Sequence, residues 1–186
     1  QRGIKTREAA LAFFHPKLTD LHNPFLMKDM DLAVERINRA ARNGEKLLVY
    51  GDYDVDGTTS VALVYSFLKR HFGEEKLDFY IPNRYTEGCG ISYQGIEFAK
   101  EKGISLVIAL DCGIKAVEKV GYAKSLGIDF IICDHHTPGE ALPDAVACLD
   151  AKREDCTYPD KNLSGCGVGF KLMQAFCRVN NYKEQE

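Results

Sequence analysis

Short apolar runs alternate with segments of helical periodicity along most of the chain. The runs are almost continuously apolar, which is typical of strands buried on both faces. We predict strands at Lys46–Tyr50, Leu77–Ile81, Ser105–Leu110, Asp129–Cys133 and Ala145–Leu149. Apolar residues recur at helical spacing in the predicted helices Met30–Arg42, Thr58–His71, Tyr93–Lys102, Lys115–Leu126 and Gly167–Val179. The alternation predicts an α/β fold in which a mostly parallel sheet carries helices on both faces.

Acidic residues or histidines follow four of the predicted strands directly. They lie in the segments Gly51–Gly57 and Asp134–His136 and at Asp111 and Asp150. Right-handed crossovers bring the carboxyl ends of parallel strands to one edge of the sheet, where open α/β sheets build their sites. The sequence therefore predicts a functional site at the C-terminal edge of the strands.

Three aspartates alternate in the segment after the first predicted strand. Burial of Asp52, Asp54 and Asp56 so close together is costly without a cation, because like charges repel one another. For this segment alone, a solvated acidic turn or a helix N-cap formed by Asp56 is the simpler explanation. An EF-hand loop is excluded because Leu63 stands where that loop has Glu, and the sequence contains no G-K-[ST] of a P-loop.

Taken together, the residues after the strands form a possible metal-binding set. The candidate ligands are Asp54, Asp56, Asp111 and His135. Oxygen-rich ligands with one imidazole suit Mn²⁺ or Mg²⁺ better than zinc. Two such ions about 4 Å apart would activate water for an in-line displacement at phosphorus. An N-cap would explain Asp111 alone, and a hydrogen-bonded loop would explain the two histidines, but neither explains the recurrence after several strands.

Length, charge and cysteine content limit the classes of protein to which this chain can belong. The 186 residues include 24 Lys and Arg and 27 Asp and Glu, a formal charge of −3, and this length predicts one domain or one with a small appendage. The acidic balance argues against a general basic surface for nucleic acid but allows a local one. The seven cysteines include no C-x-x-C pair, which favours reduced thiols in a cytoplasmic protein. No apolar run approaches the length of a transmembrane helix, so we expect no membrane partner.

Three of the segments resemble the first three motifs of the DHH phosphoesterase superfamily. They are Gly51–Gly57, Asp111–Gly113 and Asp134–His136. The first has the form found in RecJ-type single-stranded-DNA-specific exonucleases, and the resemblance continues in residues 82–84, 87–90 and 163–171. Two positions depart from that family's pattern: Cys89, where an aromatic residue is usual, and Asp150, where asparagine is usual.

The resemblance implies roles for individual residues at the predicted edge. The implied catalytic residues are Asp54, Asp56, Asp111, His135 and His136. The first four would bind two Mn²⁺ or Mg²⁺ ions, and His136 would face the scissile phosphate as a charge stabiliser or acid. Asp134 would lie behind the ligands, and Asp52 would bind a metal through water or line the rim.

Two further residues are implied to bind substrate, together with His136. Arg84 would clamp a phosphate with two hydrogen bonds, although a surface ion pair explains an exposed arginine almost as well. Gly167 lies in a glycine-rich helix start that would offer backbone N–H groups to a phosphate. Close helix packing is an equally good explanation of these glycines.

The function implied by the resemblance is that of a RecJ-like 5′-to-3′ single-stranded DNA exonuclease in repair and recombination. A single-strand-binding protein or a helicase would be its protein partners. One alternative is a phosphodiesterase for short oligonucleotides or cyclic dinucleotides, against which the D-Y-D-V-D-G form argues. Another is a non-catalytic replication scaffold, against which the complete set of carboxylates argues.

The resemblance also divides the chain. We expect residues 1–44 to form a helical lead-in and residues 45–186 to form the DHH catalytic domain. The family's fourth motif, its second domain and an OB-type domain would follow beyond residue 186. We therefore expect a fragment that binds manganese weakly and has little or no nuclease activity alone.

Overall fold

In the computed structural model, which describes residues 3–182, five strands form one sheet. The strands are β1 (Lys46–Gly51), β2 (Leu77–Tyr80), β3 (Ile104–Leu110), β4 (Asp129–Cys133) and β5 (Ala147–Leu149). The helices are α1 (Arg7–Phe14), α2 (Met30–Asn43), α3 (Val55–Phe72), α4 (Tyr93–Glu101), α5 (Val117–Ser125) and α6 (Gly165–Asn180). Each predicted strand and helix is present, with ends displaced by up to three residues, and α1 was not predicted.

All neighbouring strands are parallel, in the order β2-β1-β3-β4-β5. The predicted α/β fold with a mostly parallel sheet is therefore confirmed. After β2, the chain crosses β1 to add β3 on its other side, so the direction of winding changes between β1 and β3. A crevice opens at such a switch point beyond the carboxyl ends of the strands. The loops that follow β1 and β3 border this crevice.

Both faces of the sheet are covered, which explains why the strands are apolar without alternation. Leu47 and Val49 of β1 belong to the core on the side of α2, α3 and α6. Leu48 and Tyr50 belong to the core on the side of α4 and α5. Successive strand residues point to opposite faces, so every position of such a strand must be apolar.

The two helices before the sheet differ in their packing. No residue of α1 is buried, whereas α2 packs against α6 and β5 and buries one face, formed by Met30, Ala33, Val34, Arg36, Ile37 and Ala40. The division of the chain into a lead-in of residues 1–44 and a catalytic domain of residues 45–186 stays a prediction. Residues 1–2 and 183–186 lie outside the described residues. Within residues 3–182, no helix combines the length and apolar character needed to span a bilayer.

Candidate metal centre

The segment after β1 turns directly into α3, and Asp54 caps that helix. The Asp54 carboxylate accepts a hydrogen bond from the Gly57 N–H at 3.0 Å. A Cβ at Gly57 would lie only 2.3 Å from the Asp52 carbonyl oxygen, so the turn requires glycine there. The capping explanation considered for Asp56 is therefore wrong, because the cap belongs to Asp54.

Asp56 reaches instead to the start of α6. One oxygen of its carboxylate accepts the Gly165 N–H at 2.7 Å and the other accepts the Cys166 N–H at 2.8 Å. A carboxylate is stabilised at a helix N-terminus by the free N–H groups and the helix dipole. This contact joins the loop after β1 to a helix that lies far along the chain.

Asp111 lies directly after β3 with a left-handed backbone, φ 60°, and is only 3% exposed. Its Oδ1 lies 3.1 Å from Nε2 of His135, but this oxygen accepts no well-directed hydrogen bond within the described part of the chain. Burial, followed by the charges of Asp56 and Asp54, raises the pKa of Asp111 to about 7. The N-cap explanation is wrong here as well, because Ala116 is the N-cap residue of α5.

Asp134, directly after β4, organises both histidines and is almost fully buried. Its carboxylate accepts hydrogen bonds from the backbone N–H groups of Ile114 (2.9 Å), His135 (2.7 Å) and His136 (3.2 Å). It also lies 2.7 Å from Nδ1 of His136, which leaves Nε2 of that ring for other partners. Burial opposes the charge on His136, but the bond to Asp134 and the charges of Asp134 and Asp111 raise its pKa.

Three predicted catalytic residues form a compact group. Potential ligand atoms of Asp111, His135 and His136 all lie within 4.8 Å of one another, and Oδ2 of Asp56 lies 3.6 Å from Nε2 of His135. Asp54 is outside this group, and one of its oxygens is engaged as the α3 cap. A buried carboxylate oxygen without a donor, beside imidazole nitrogens, fits a divalent cation.

Asp52 and Arg84 lie at the rim. Asp52 accepts the Tyr53 N–H at 2.8 Å and lines a groove of about 360 Å³ together with Asp111 and His136. The guanidinium of Arg84 lies 5.2 Å from the centre of the Tyr53 ring, a cation–π contact. The arginine is exposed and belongs to the loop after β2, and its binding to a phosphate stays a prediction.

The N-terminus of α6 offers less to a phosphate than we expected. The Gly167 N–H donates to Oγ of Ser164 at 3.1 Å, and the two preceding N–H groups bind Asp56. A Cβ at Gly165 would lie 2.5 Å from Cβ of Asp111, so close packing accounts for that glycine. Phosphate binding by Gly167 stays a prediction.

Asp150 is a buried carboxyl to which the sequence assigned no role. It is 0% exposed, and while Oδ1 accepts the Lys152 N–H at 2.7 Å, Oδ2 has no partner among residues 3–182. Burial, with a smaller contribution from Asp134, raises the pKa of Asp150 to about 6. Leu149 and Cys133 are paired in register, so Asp150 and Asp134 extend neighbouring strands. The sequence signal that could have pointed to Asp150 is its position directly after β5.

Comparison with known proteins places this geometry in a family. Residues 46–186 match the DHH family, N-terminal domain. The single-stranded-DNA-specific exonuclease RecJ of Bacillus subtilis is 46% identical over 175 residues, covering 94% of this chain and 22% of that protein. The RecJ of Escherichia coli is 40% identical over 149 residues, covering 80% of this chain and 26% of that protein.

Solved structures agree with this assignment. A crystal structure of exonuclease RecJ bound to manganese has a TM-score of 0.76 and 27% identity, covering 85% of this chain and 40% of that one. RecJ from Thermus thermophilus in complex with Mn²⁺ has a TM-score of 0.72 and 26% identity, covering 95% of this chain and 26% of that one. The chain spans about a quarter of the length of the curated relatives cited above. By its match over residues 46–186 and by its fold, the chain belongs to the DHH family.

Proposed function

We propose that this chain forms the metal-binding catalytic part of a RecJ-like exonuclease that hydrolyses phosphodiester bonds in single-stranded DNA. The observation that carries the proposal is the buried Oδ1 of Asp111, which lacks a hydrogen-bond partner in the described chain and faces His135 beside Asp56 and His136. Such a group needs a proton or a cation to be stable. The relatives named RecJ support the substrate, and the two manganese-bound structures support the metal.

The proposed Mn²⁺ or Mg²⁺ ligands are Asp54, Asp56, Asp111 and His135. Bound divalent ions would supply an activated water and offset charge on the phosphate. Asp56 keeps its bonds to α6, which hold its carboxylate in place, and Asp54 contributes the oxygen that does not cap α3. Asp134 orients His136 through Nδ1, so that Nε2 is directed to the substrate and can hold or deliver a proton there.

The proposed roles in substrate binding rest on the residues at the rim of the site and on the similarity to the relatives named RecJ. Arg84 binds a backbone phosphate, His136 contacts the scissile one, and Asp52 lines the entrance. We assign the catalytic domain to residues 45–186 and the lead-in to residues 1–44. The 5′-to-3′ direction, a role in repair and recombination, a cytoplasmic location, and binding to a single-strand-binding protein or helicase remain predictions from the resemblance.

Calorimetric titration of the chain with MnCl₂ tests the metal site directly. We expect wild type to bind Mn²⁺ and Asp111→Asn to lose that binding, because the amide has the same shape without the charge. Asp144→Asn is the matched control, since Asp144 is an exposed aspartate paired with Lys124. Undiminished binding by Asp111→Asn would contradict the proposed site.

Substrate class is tested by incubating the chain with Mn²⁺ and three substrates: single-stranded decathymidylate, a DNA duplex and a cyclic dinucleotide. We expect any cleavage, and the tighter binding, to be specific to the single strand. Preferential hydrolysis of the cyclic dinucleotide would favour the alternative phosphodiesterase activity.

A further inference from the structure

The loop between β2 and α4 crosses the carboxyl edge of the sheet and carries Arg84. One side chain, that of Glu87, organises its backbone. Oε1 of Glu87 accepts the Asn83 N–H at 2.8 Å, while Oε2 accepts the Tyr80 hydroxyl at 2.9 Å and the Ser92 hydroxyl at 2.5 Å. Tyr80 ends β2 and Ser92 caps α4, so a single carboxylate connects both ends of the loop to its middle.

The charge of Glu87 is maintained in this environment. Burial alone would raise its pKa, but the bonds from Asn83, Ser92 and Tyr80 outweigh burial and lower the pKa. Burial, and then the bond to Glu87, raises the pKa of Tyr80 to about 12, which keeps the phenol protonated as a donor. Hydrogen bonds to an ionised acceptor are about twice as strong as neutral ones.

The same loop contacts the aspartate segment after β1 at two points. The Gly90 N–H lies 3.5 Å from Oδ1 of Asp52, and Arg84 lies over the ring of Tyr53. Beneath the loop, the buried Tyr50 hydroxyl donates to the Gly90 carbonyl at 2.9 Å. Any displacement of the loop would therefore move Arg84 relative to the metal-binding edge.

We propose that Glu87 is a positioning residue, which fixes the β2–α4 loop so that Arg84 is held over Tyr53 at the site. This inference rests on the proposed function, because it assigns the phosphate contact to Arg84. Glu87 itself touches no substrate. Asn83 is bound by Glu87 and immediately precedes Arg84, so loss of the carboxylate removes a side-chain anchor from the turn that carries the guanidinium, although the Asn83 carbonyl still accepts the Thr86 and Glu87 N–H groups.

The first measurement concerns the loop alone. Among the described cysteines, only Cys89 is exposed and Cys166 is partly exposed, while the others are buried. Cys89 lies two residues after Glu87, so its reaction rate with a thiol reagent responds both to loop order and to loss of the Glu87 charge, which favours the thiolate. Glu87→Ala and Glu87→Gln lose the same charge, so the difference between their rates reports loop order. We expect Glu87→Ala to raise the Cys89 reaction rate severalfold and Glu87→Gln to raise it less, because an amide oxygen still accepts a bond. Cys89→Ser identifies the signal of Cys89.

The second measurement concerns the coupling to Arg84. Binding of decathymidylate with Mn²⁺ is compared for wild type, Glu87→Ala, Arg84→Ala and the double variant. If Glu87 acts through Arg84, each single variant weakens binding about fivefold and the double variant weakens it no further. A general structural defect would instead weaken binding again in the double variant. Glu101→Ala, at the exposed end of α4, is the control.

The outcomes separate this proposal from the proposed function. Equal Cys89 reaction rates in Glu87→Gln and Glu87→Ala would overturn the positioning role, as would independent effects of the Glu87 and Arg84 substitutions on binding. If Glu87→Ala does not fold, Glu87→Gln in both backgrounds provides the same comparison. A wild-type chain that binds Mn²⁺ but not decathymidylate would contradict the proposed substrate, and Cys89 reactivity would then decide whether Glu87 holds the loop.

Discussion

The two edges of the sheet differ in how their acidic side chains are paired. At the amino edge, buried Arg36 bonds to Glu45 at 2.7 Å and to Asp129 at 2.6 Å. Burial would raise the pKa of Glu45, but bonds from Ser105, Arg36 and Asn43 lower it. At the carboxyl edge, Asp111 and Asp150 each keep an oxygen without a partner in the described chain, and their pKa values are raised.

The paired carboxylates of the amino edge stabilise the fold, whereas the unpaired oxygens of the carboxyl edge are available to a cation. Carboxylates paired with a guanidinium hold elements together, whereas carboxylates deprived of donors store an unfavourable charge that a cation can relieve. Because both edges belong to one sheet, substitutions at one edge serve as controls for the other.

The largest effect is expected at the amino edge. Arg36→Met leaves Glu45 and Asp129 without their buried partner, and we expect the free energy of unfolding to fall by about 3 kcal/mol. Urea denaturation measures this change. Arg42→Met is the control, because Arg42 and Glu35 form an exposed pair that contributes about 0.5 kcal/mol or less. Similar losses in both variants would remove the contrast between buried and exposed pairs.

At the carboxyl edge, we expect a substitution to raise the free energy of unfolding instead of lowering it. In metal-free protein at pH 8, we expect Asp111→Asn to raise the free energy of unfolding by about 2 kcal/mol, because it removes a buried charge without a donor. Added MnCl₂ should then raise the melting temperature of wild type but not of this variant. Destabilisation by Asp111→Asn without metal would show that the carboxylate is satisfied in the folded protein.

Asp150 provides a pH-dependent version of the comparison. Its folded pKa of about 6 exceeds the unfolded value of about 4, so the folded protein binds the proton more tightly. The contribution of Asp150 to stability therefore falls as pH rises from about 4 to about 6 and is constant above that.

We expect Asp150→Asn, which keeps the oxygen that accepts the Lys152 N–H, to remove this loss. The variant should lie close to wild type near pH 4 and exceed it by about 2 kcal/mol at pH 7.5. Urea denaturation at both values tests the prediction, and a difference independent of pH would contradict it.

The smallest expected effect sharpens the contrast within the amino edge. Arg39 also contacts Asp129, at 3.2 Å, but its side chain is 53% exposed. Arg39→Ala should lower the free energy of unfolding by about 0.5 kcal/mol or less, and less again in 0.5 M NaCl. A loss as large as that of Arg36→Met would show that burial does not determine which of the two arginines matters.

Much of the fold could be predicted because the central strands are buried on both faces and the helices that pack on the sheet bury one face. Errors concentrate at helix starts: α3 begins at Val55 rather than Thr58, and α6 at Gly165 rather than Gly167. In both, a residue just before the helix, Asp54 or Ser164, caps it, and apolar periodicity does not register a cap. The helix α1 was missed because it buries no residue.

The sequence alone determined the order of strands and helices along the chain. It also determined the edge of the sheet at which the acidic residues lie, since the carboxyl ends of parallel strands are all on the same side. Tertiary structure decided which of those acids keeps an unpaired oxygen. Asp56 receives two N–H groups from α6, a helix 109 residues away at Gly165, whereas Asp111 packs against the same glycine and its Oδ1 receives no hydrogen bond in residues 3–182. Hydrogen-bond donors are supplied by distant elements, so only the folded chain shows which carboxylate receives backbone N–H groups and which keeps an oxygen without a donor.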